Sequence, residues 1–244
     1  MTRAQSSVAA HEQRALMERL FGRIATRYDR FNHLTSLSLD RRWRAAAIAQ
    51  IMSARTREDL RVLDVCTGTG DLALGVAARL NGASRVVGVD LSVPMLSIVQ
   101  AKAQARHASI AWLRADAQAL PFPDASFDCV TIGFSTRNVP DLSAACREWR
   151  RVLRRPGRLV IVETGKPQSW PVQLVYYTYL TLIMPLMGLL ICRTIWPFPY
   201  LRRSIRRFLS PAAFQALLRE AGFQTVTHQP LHGGIADLFV GITA

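Results

Sequence analysis

Three short stretches carry residue types whose spacing could do chemistry. In "DVCTGTGD" (64–71), Gly68 and Gly70 flank Thr69. Glycines there let the backbone approach a ligand, and a helix starting after them offers unpaired N–H groups. Asp90 ends "RVVGVD", 20 residues after Gly70. An acid at that distance can hydrogen-bond both hydroxyls of a ribose. Asp116 and Ala117 follow "IAWLRAD", where an adenine edge would lie. Together these imply a nucleoside-containing cofactor. Cys66 stands where the dinucleotide fingerprint has its first glycine, and Asp71 sets a carboxylate where a phosphate would bind. A cofactor with a ribose but no phosphate fits better, and S-adenosylmethionine (AdoMet) is such a molecule.

The elements that must position these residues alternate in type. Strand patterns fall at 61–66, 85–90, 110–116, 127–134 and 158–163, with helical patterns between them. Such alternation predicts βαβ units and a parallel sheet. The segment 210–222 is a helix with Ser210 as N-cap, Pro211 in the first turn and Gly222 at its end. Two further strands, 223–230 and 235–244, close the chain. Residues 8–55 read as helices with a loop near 32–38. The expected architecture is an α/β Rossmann-like sheet of seven strands, mostly parallel with an antiparallel last strand. Residues 1–60 form a helical cap on the domain 61–244, and 164–209 form an apolar insertion.

Half of the 244 residues are hydrophobic, enough for a sizeable core, and the net charge is +14. The surplus is uneven: residues 147–207 hold twelve Lys/Arg against two Glu. A basic surface suits nucleic acid or anionic lipid. The base-methylating signature N/D-P-P-Y and a Pro-Cys nucleophile are both missing, so nucleic acid is not expected. The four cysteines form no C-x-x-C pair and no metal site is expected. The first 20 residues show no apolar signal core, which points to the cytoplasm.

Residues 170–192 contain 23 residues and no charge. That length admits a membrane span. The two strands that follow must rejoin the sheet on the same side, however, and Pro185 divides the run. A short helix over 172–184 is therefore expected to roof a pocket for a greasy substrate and touch the bilayer surface. Arg193, Arg202, Arg203, Arg206 and Arg207 would meet the headgroups.

"FGRIATRYDRFNHLTSLSLDRRWR", "FSTRNVPDLSAACREWRRVLRRPGRLVIVE" and "PYLRRSI" with "AGFQTVTHQPLHGG" give the chain a resemblance to class I AdoMet-dependent methyltransferases. Within them it resembles the UbiE/MenG family of quinone C-methyltransferases. It departs at Ser135-Thr136, at Ser38 and Asp40, and at Arg158, which touch the substrate side more than the AdoMet side. The resemblance implies AdoMet contacts at Thr69, Asp90, Asp116 and Ala117, with Gly133 near the methionine portion; Gly68 and Gly70 come from the turn argument. It also implies a polyprenyl quinol substrate and peripheral association with the inner face of the membrane. "RFLS" after "SIR" favours demethylmenaquinol over the ubiquinone-type benzoquinol.

Methyl transfer to a ring carbon needs an electron-rich quinol. Arg137 is the candidate to stabilise the quinolate and Asn138 to orient its hydroxyl. Tyr28 and Asn32 are candidate substrate contacts, and Tyr28, Asp29 and His33 candidate bases, because the N-terminal helices would cap the pocket. His228 and His232 flank a strand end and suit structural roles. The rival from another class is an AdoMet-binding membrane adaptor without turnover.

Overall fold

A computed structural model of the chain describes residues 29, 31–53, 59–80, 85–192 and 197–243. Strands β1 (Arg61–Val65), β2 (Arg85–Asp90), β3 (Ile110–Arg114), β4 (Phe127–Gly133), β5 (Leu153–Thr164), β6 (Thr225–Leu231) and β7 (Ala236–Thr243) form one sheet in the order β3-β2-β1-β4-β5-β7-β6. β1 to β5 are mutually parallel, and β7 runs antiparallel between β5 and β6. This is the sheet expected from the strand patterns.

Helices α1 (Leu39–Ser53) and α2 (Asp71–Ala77) cover one face. Helices α4 (Leu142–Val152) and α8 (Pro211–Glu220) cover the other, and α3 (Val93–Ala105) joins β2 to β3. Side chains alternate along each strand. In β5, Leu159 and Ile161 therefore join Trp149 of α4 and Phe214 of α8. Val160 and Val162 join Trp43 and Ile48 of α1 on the opposite face. Burial on both faces is why the strands read as continuous apolar runs.

Three boundaries differ from expectation. Helical backbone runs through 31–35, where a loop was expected; Thr35 caps its own turn by donating to the Phe31 carbonyl at 2.8 Å, and the turn follows at 36–38. β5 starts five residues early, since Leu153 still pairs with Phe127 beyond a bulge in the β4 register. Pro185 does not divide the apolar run. Helix α5 (Trp170–Thr178), a π-helical turn (Tyr179–Ile183) and α6 (Met184–Cys192) follow one another directly, and Trp170–Ile191 is one 22-residue helical stretch. The wider π-turn immediately before Pro185 takes up the irregularity that a proline imposes on a helix.

At about 33 Å, that stretch matches a bilayer core in length, so length does not argue against a span. Packing does. Helix α7 (Pro197–Arg207) doubles back along it: Tyr176 and Leu180 cluster with Ile205, and a Cβ on Gly188 would lie 1.8 Å from the Phe198 ring. With β5 before the lid and β7 after it paired in one sheet, both ends of this helical hairpin return to the same side. Its outer face leaves Trp170, Leu174, Leu182, Leu186 and Leu190 exposed.

Candidate active site

Ligands of such sheets bind beyond the carboxyl ends of the strands, where the strand order reverses. Here that point lies between β1 and β4. Cys66 follows β1 with φ 54° and Phe134 follows β4 with φ 57°. A left-handed conformation costs a non-glycine residue roughly 1–2 kcal/mol. Two such residues, one on each side of the reversal, turn the chain outward and hold a crevice open.

The crevice contains two joined cavities. The smaller, about 110 Å³, is lined by Asp90, Met95, Asp116, Ala117, Gln118 and Asn138 among others. The larger, about 390 Å³, is bounded by Asn32, Asp40, Trp43 and Arg44, by Asp64 and Thr69, by Gly133 and Arg137, and by lid residues from Val172 to Met184. Cys66, Gly68 and Ser135 border both.

Gly68 has φ +55°, and a Cβ there would meet nothing within 4 Å, so its bare Cα faces the space the cavities share. Gly70 does not share that role. It lines neither cavity, and a Cβ on it would sit 2.0 Å from Val99 Cγ2. Its lack of a side chain, with φ +79°, lets α2 begin against α3. The two glycines of one turn thus answer different needs, ligand space and helix packing.

Asp90 accepts the Gly68 N–H on Oδ2 and the Ser92 N–H on Oδ1, each at 2.8 Å. Burial raises its pKa despite these donors. Asp116 lines the same cavity, and its Oδ1 accepts from Gln118 N at 3.0 Å. Thr69 is buried on the larger cavity, and its hydroxyl donates to Asp29.

Arg137 lies in a 3-10 turn after β4 and lines the larger cavity. Its Nη1 donates to Glu163 Oε1 and to the Phe134 carbonyl, both at 2.5 Å. Glu163, at 0 % exposure, also accepts from the Thr136 hydroxyl at 2.6 Å and the Thr164 N–H at 2.7 Å. A carboxylate this well satisfied acts as a fixed anchor for the guanidinium. Asn138 falls on the smaller cavity instead and accepts from the Tyr200 hydroxyl at 3.0 Å.

Asn32 lines the larger cavity. Tyr28 lies outside the described residues. His33 and Asp29, the other candidate bases, are absent from the cavity walls. They belong to a charge cluster at the mouth, in which His33 Nδ1 is 2.7 Å from Asp40 and Lys102 bridges Asp29 and Asp71 at 2.7 and 2.6 Å. Arg44 pairs with Asp40 and stands 3.9 Å from Asp71. Burial alone would raise both aspartates; for Asp40 the Ser36 hydroxyl and Arg44, and for Asp71 Arg44 and Lys102, hold them below the usual range. His228 bonds Asp237 at 2.8 Å, His232 accepts the Trp43 indole N–H at 2.9 Å, and neither lines the two cavities.

Three site residues escaped the sequence reading. Asp64, 1 % exposed within β1, lines the larger cavity; burial pushes its pKa up to about 7, against the Thr67 hydroxyl that donates to it at 2.5 Å. The signal was present, since a lone acid in a buried strand calls for a reason. Glu163 gave the same signal at the end of β5. Tyr176 was hidden inside the uncharged run. No cluster of metal ligands occurs among the described residues.

The sequence pattern of the ubiE/COQ5 methyltransferase family matches residues 7–243. A demethylmenaquinone methyltransferase of Thermus thermophilus is 42 % identical over 222 residues, 91 % of this chain and 99 % of the relative. The ubiquinone/menaquinone biosynthesis C-methyltransferase UbiE of Geotalea uraniireducens is 38 % identical over 227 residues, 92 % of this chain and 95 % of that one. Among solved structures, a SAM-dependent methyltransferase of Thermotoga maritima described as a possible histamine N-methyltransferase superposes with a TM-score of 0.63. It covers 93 % of this chain and 99 % of its own at 18 % identity, a likeness of fold.

Proposed function

The chain belongs to the ubiE/COQ5 methyltransferase family, AdoMet-dependent enzymes, and from that premise we propose that it methylates a ring carbon of demethylmenaquinol at the surface of the cytoplasmic membrane. The observation that carries this is the pair of joined cavities: a small one with the Asp90 and Asp116 carboxylates in its wall, suited to a nucleoside, opening onto a large one roofed by an apolar lid. The names of the relatives support the naphthoquinol nucleus.

AdoMet, when bound, supplies a methyl group on a cationic sulfur. In this reading the Asp90 carboxylate holds the ribose hydroxyls, and Asp116 with Ala117 faces the adenine edge. Gly68 leaves room for the chain between adenosine and methionine. Asp64, in the larger cavity beyond Gly68, faces the cationic end, and a nearby positive charge favours its ionised form. Cys66 takes no covalent part: burial, with Asp90 and Asp64 close by, pushes its thiol well above the ordinary range, so it stays protonated.

The quinol ring occupies the larger cavity. Arg137, held by Glu163, stabilises negative charge on the ring oxygen, and this charge makes the neighbouring carbon nucleophilic. Binding under the lid brings that carbon to the methyl group; such positioning can be worth about 7–11 kcal/mol. The lid's exposed leucines and the arginines of α7 dock the protein on an anionic bilayer, where the polyprenyl tail remains.

The test is an assay of methyl transfer from AdoMet to short-tailed reduced naphthoquinol and benzoquinol acceptors. Methylation of the naphthoquinol is expected. Transfer to the benzoquinol alone would replace the nucleus assigned here, and transfer to neither would overturn the reading.

A further inference from the structure

Four tyrosines belong to the lid hairpin, and three are accounted for. The Tyr179 hydroxyl donates to the Thr35 carbonyl at 2.6 Å, and that of Tyr200 to Asn138 at 3.0 Å. Tyr177 carries the Arg206 guanidinium over its ring, 5.0 Å from the centroid. Tyr176 differs. It is 8 % exposed, and its hydroxyl oxygen is buried with no hydrogen-bond partner among the described residues.

Ser92, Thr131 and Trp149 also bury a polar atom without a partner, but none of these lines either cavity. Tyr176 lines the larger cavity, on the same wall system as Arg137 and Thr164. A buried donor without an acceptor is unfavourable, and such groups are rare in folded proteins. A donor kept in that state on the wall of a cavity is explained by an acceptor that arrives with the ligand. Burial raises the pKa of the phenol; Arg137, the next influence, lowers it, and Tyr177, Glu163 and Asp237 raise it. The net rise keeps the group an O–H donor.

We propose that the Tyr176 hydroxyl donates a hydrogen bond to a ring oxygen of the bound hydroquinone and, with Arg137, forms a two-point site for the quinolate anion. The inference rests on the quinol reading above. It gives the lid a second task, since the helix that meets lipid on its outer face presents the substrate's hydrogen-bond donor on its inner face. Tyr176 holds the oxygen and the charge on it without exchanging its own proton.

The experiment compares wild type with Tyr176→Phe, using AdoMet and a short-tailed soluble naphthoquinol. The phenylalanine keeps the ring in its cluster with Leu180 and Ile205 and removes only the unpartnered oxygen. Loss of one hydrogen bond to an anion lowers kcat/KM by on the order of 10- to 10²-fold. AdoMet Kd should not change, and Tm should stay equal or rise, because a buried orphan group has been deleted. A purely structural role would lower Tm instead. Substrate analogues sharpen the reading: for competitive naphthol inhibitors that each lack one ring oxygen, the penalty should vanish with one of the two and persist with the other. Wild-type kcat/KM in Tyr176→Phe, or a fall in Tm or AdoMet affinity beside the kinetic loss, overturns the assignment while leaving the quinol reading in place. Failure of the wild type to methylate any quinol overturns both.

Discussion

Asp64 makes cofactor binding a proton-linked event. In the free protein its pKa stands at about 7, against 3.8 for an exposed aspartate, because burial disfavours the charged form. Below pH 7 the folded protein therefore holds a proton on Asp64. A cationic ligand favours the carboxylate, so binding must expel that proton. Each pH unit below 7 then withholds about 1.4 kcal/mol, a factor of ten in affinity. The AdoMet dissociation constant should fall roughly tenfold between pH 5.5 and 6.5 and level off near 7, short of the range in which an α-amino group titrates. Calorimetry at pH 6 in buffers of different ionisation enthalpy should report release of nearly one proton. Asp64→Asn should abolish the release and flatten the pH dependence. The same group bears on stability with the opposite sign. Its folded pKa lies above the unfolded value, so its contribution is fully present below pH 3.8 and is lost as pH rises through 7, at ~1.4 kcal/mol per unit. Denaturant titrations of the ligand-free protein at pH 5 and 7.5 should show this loss in the wild type and not in Asp64→Asn. Unlinked binding at pH 6 in the wild type would refute the reasoning.

Asp90→Ala should weaken AdoMet by on the order of 1.5–3 kcal/mol for each ribose hydrogen bond lost, and unchanged calorimetric affinity would remove the residue from the site. Glu163→Gln leaves Arg137 as a buried cation without its anion, so unfolding stability should drop by roughly 3 kcal/mol and turnover should fall with AdoMet affinity preserved; denaturant titration and steady-state kinetics check both, and an unaltered denaturation midpoint would show that the pair is not an anchor. On anionic vesicles, replacing the exposed Arg203, Arg206 and Arg207 by Gln should lower affinity by about 1 kcal/mol per charge. High salt should release the wild type, and retention through both salt and alkaline carbonate extraction would contradict surface docking.

The inner strands of the sheet were legible because they are buried on both faces, and β2 and β3 lead into turns that an acid marks. Asp90 and Asp116 could be placed for that reason: an acid after an apolar run stands out. What was obscured followed from interactions that sequence spacing does not encode. Gly70 looked like Gly68, and only the position of Val99 on α3 separates packing from ligand space. Pro185 looked like a helix end, since a π-turn leaves no compositional mark. β5 seemed to begin at 158 because Arg154, Arg155 and Pro156 resemble a turn, whereas Leu153 is pinned by Phe127. The mouth cluster joins Asp29, His33, Asp40, Arg44, Asp71 and Lys102 across more than seventy positions and becomes visible only when α1, α2 and α3 converge.

The place of the lid in the chain has a consequence for biogenesis. β5 ends at Thr164 and its partner β7 begins at Ala236, with the lid hairpin, α8 and β6 synthesised between them. At roughly 5–20 residues per second, the ribosome takes several seconds to supply that partner. Throughout the interval a nascent chain carries an unpaired strand edge beside a 22-residue uncharged helix, two features that each promote self-association. The membrane surface that the finished enzyme is proposed to use can shelter that helix before β7 exists. Chains released between 192 and 235 would keep both hazards permanently, so the last eight-residue strand closes the sheet and removes its most aggregation-prone edge in one step.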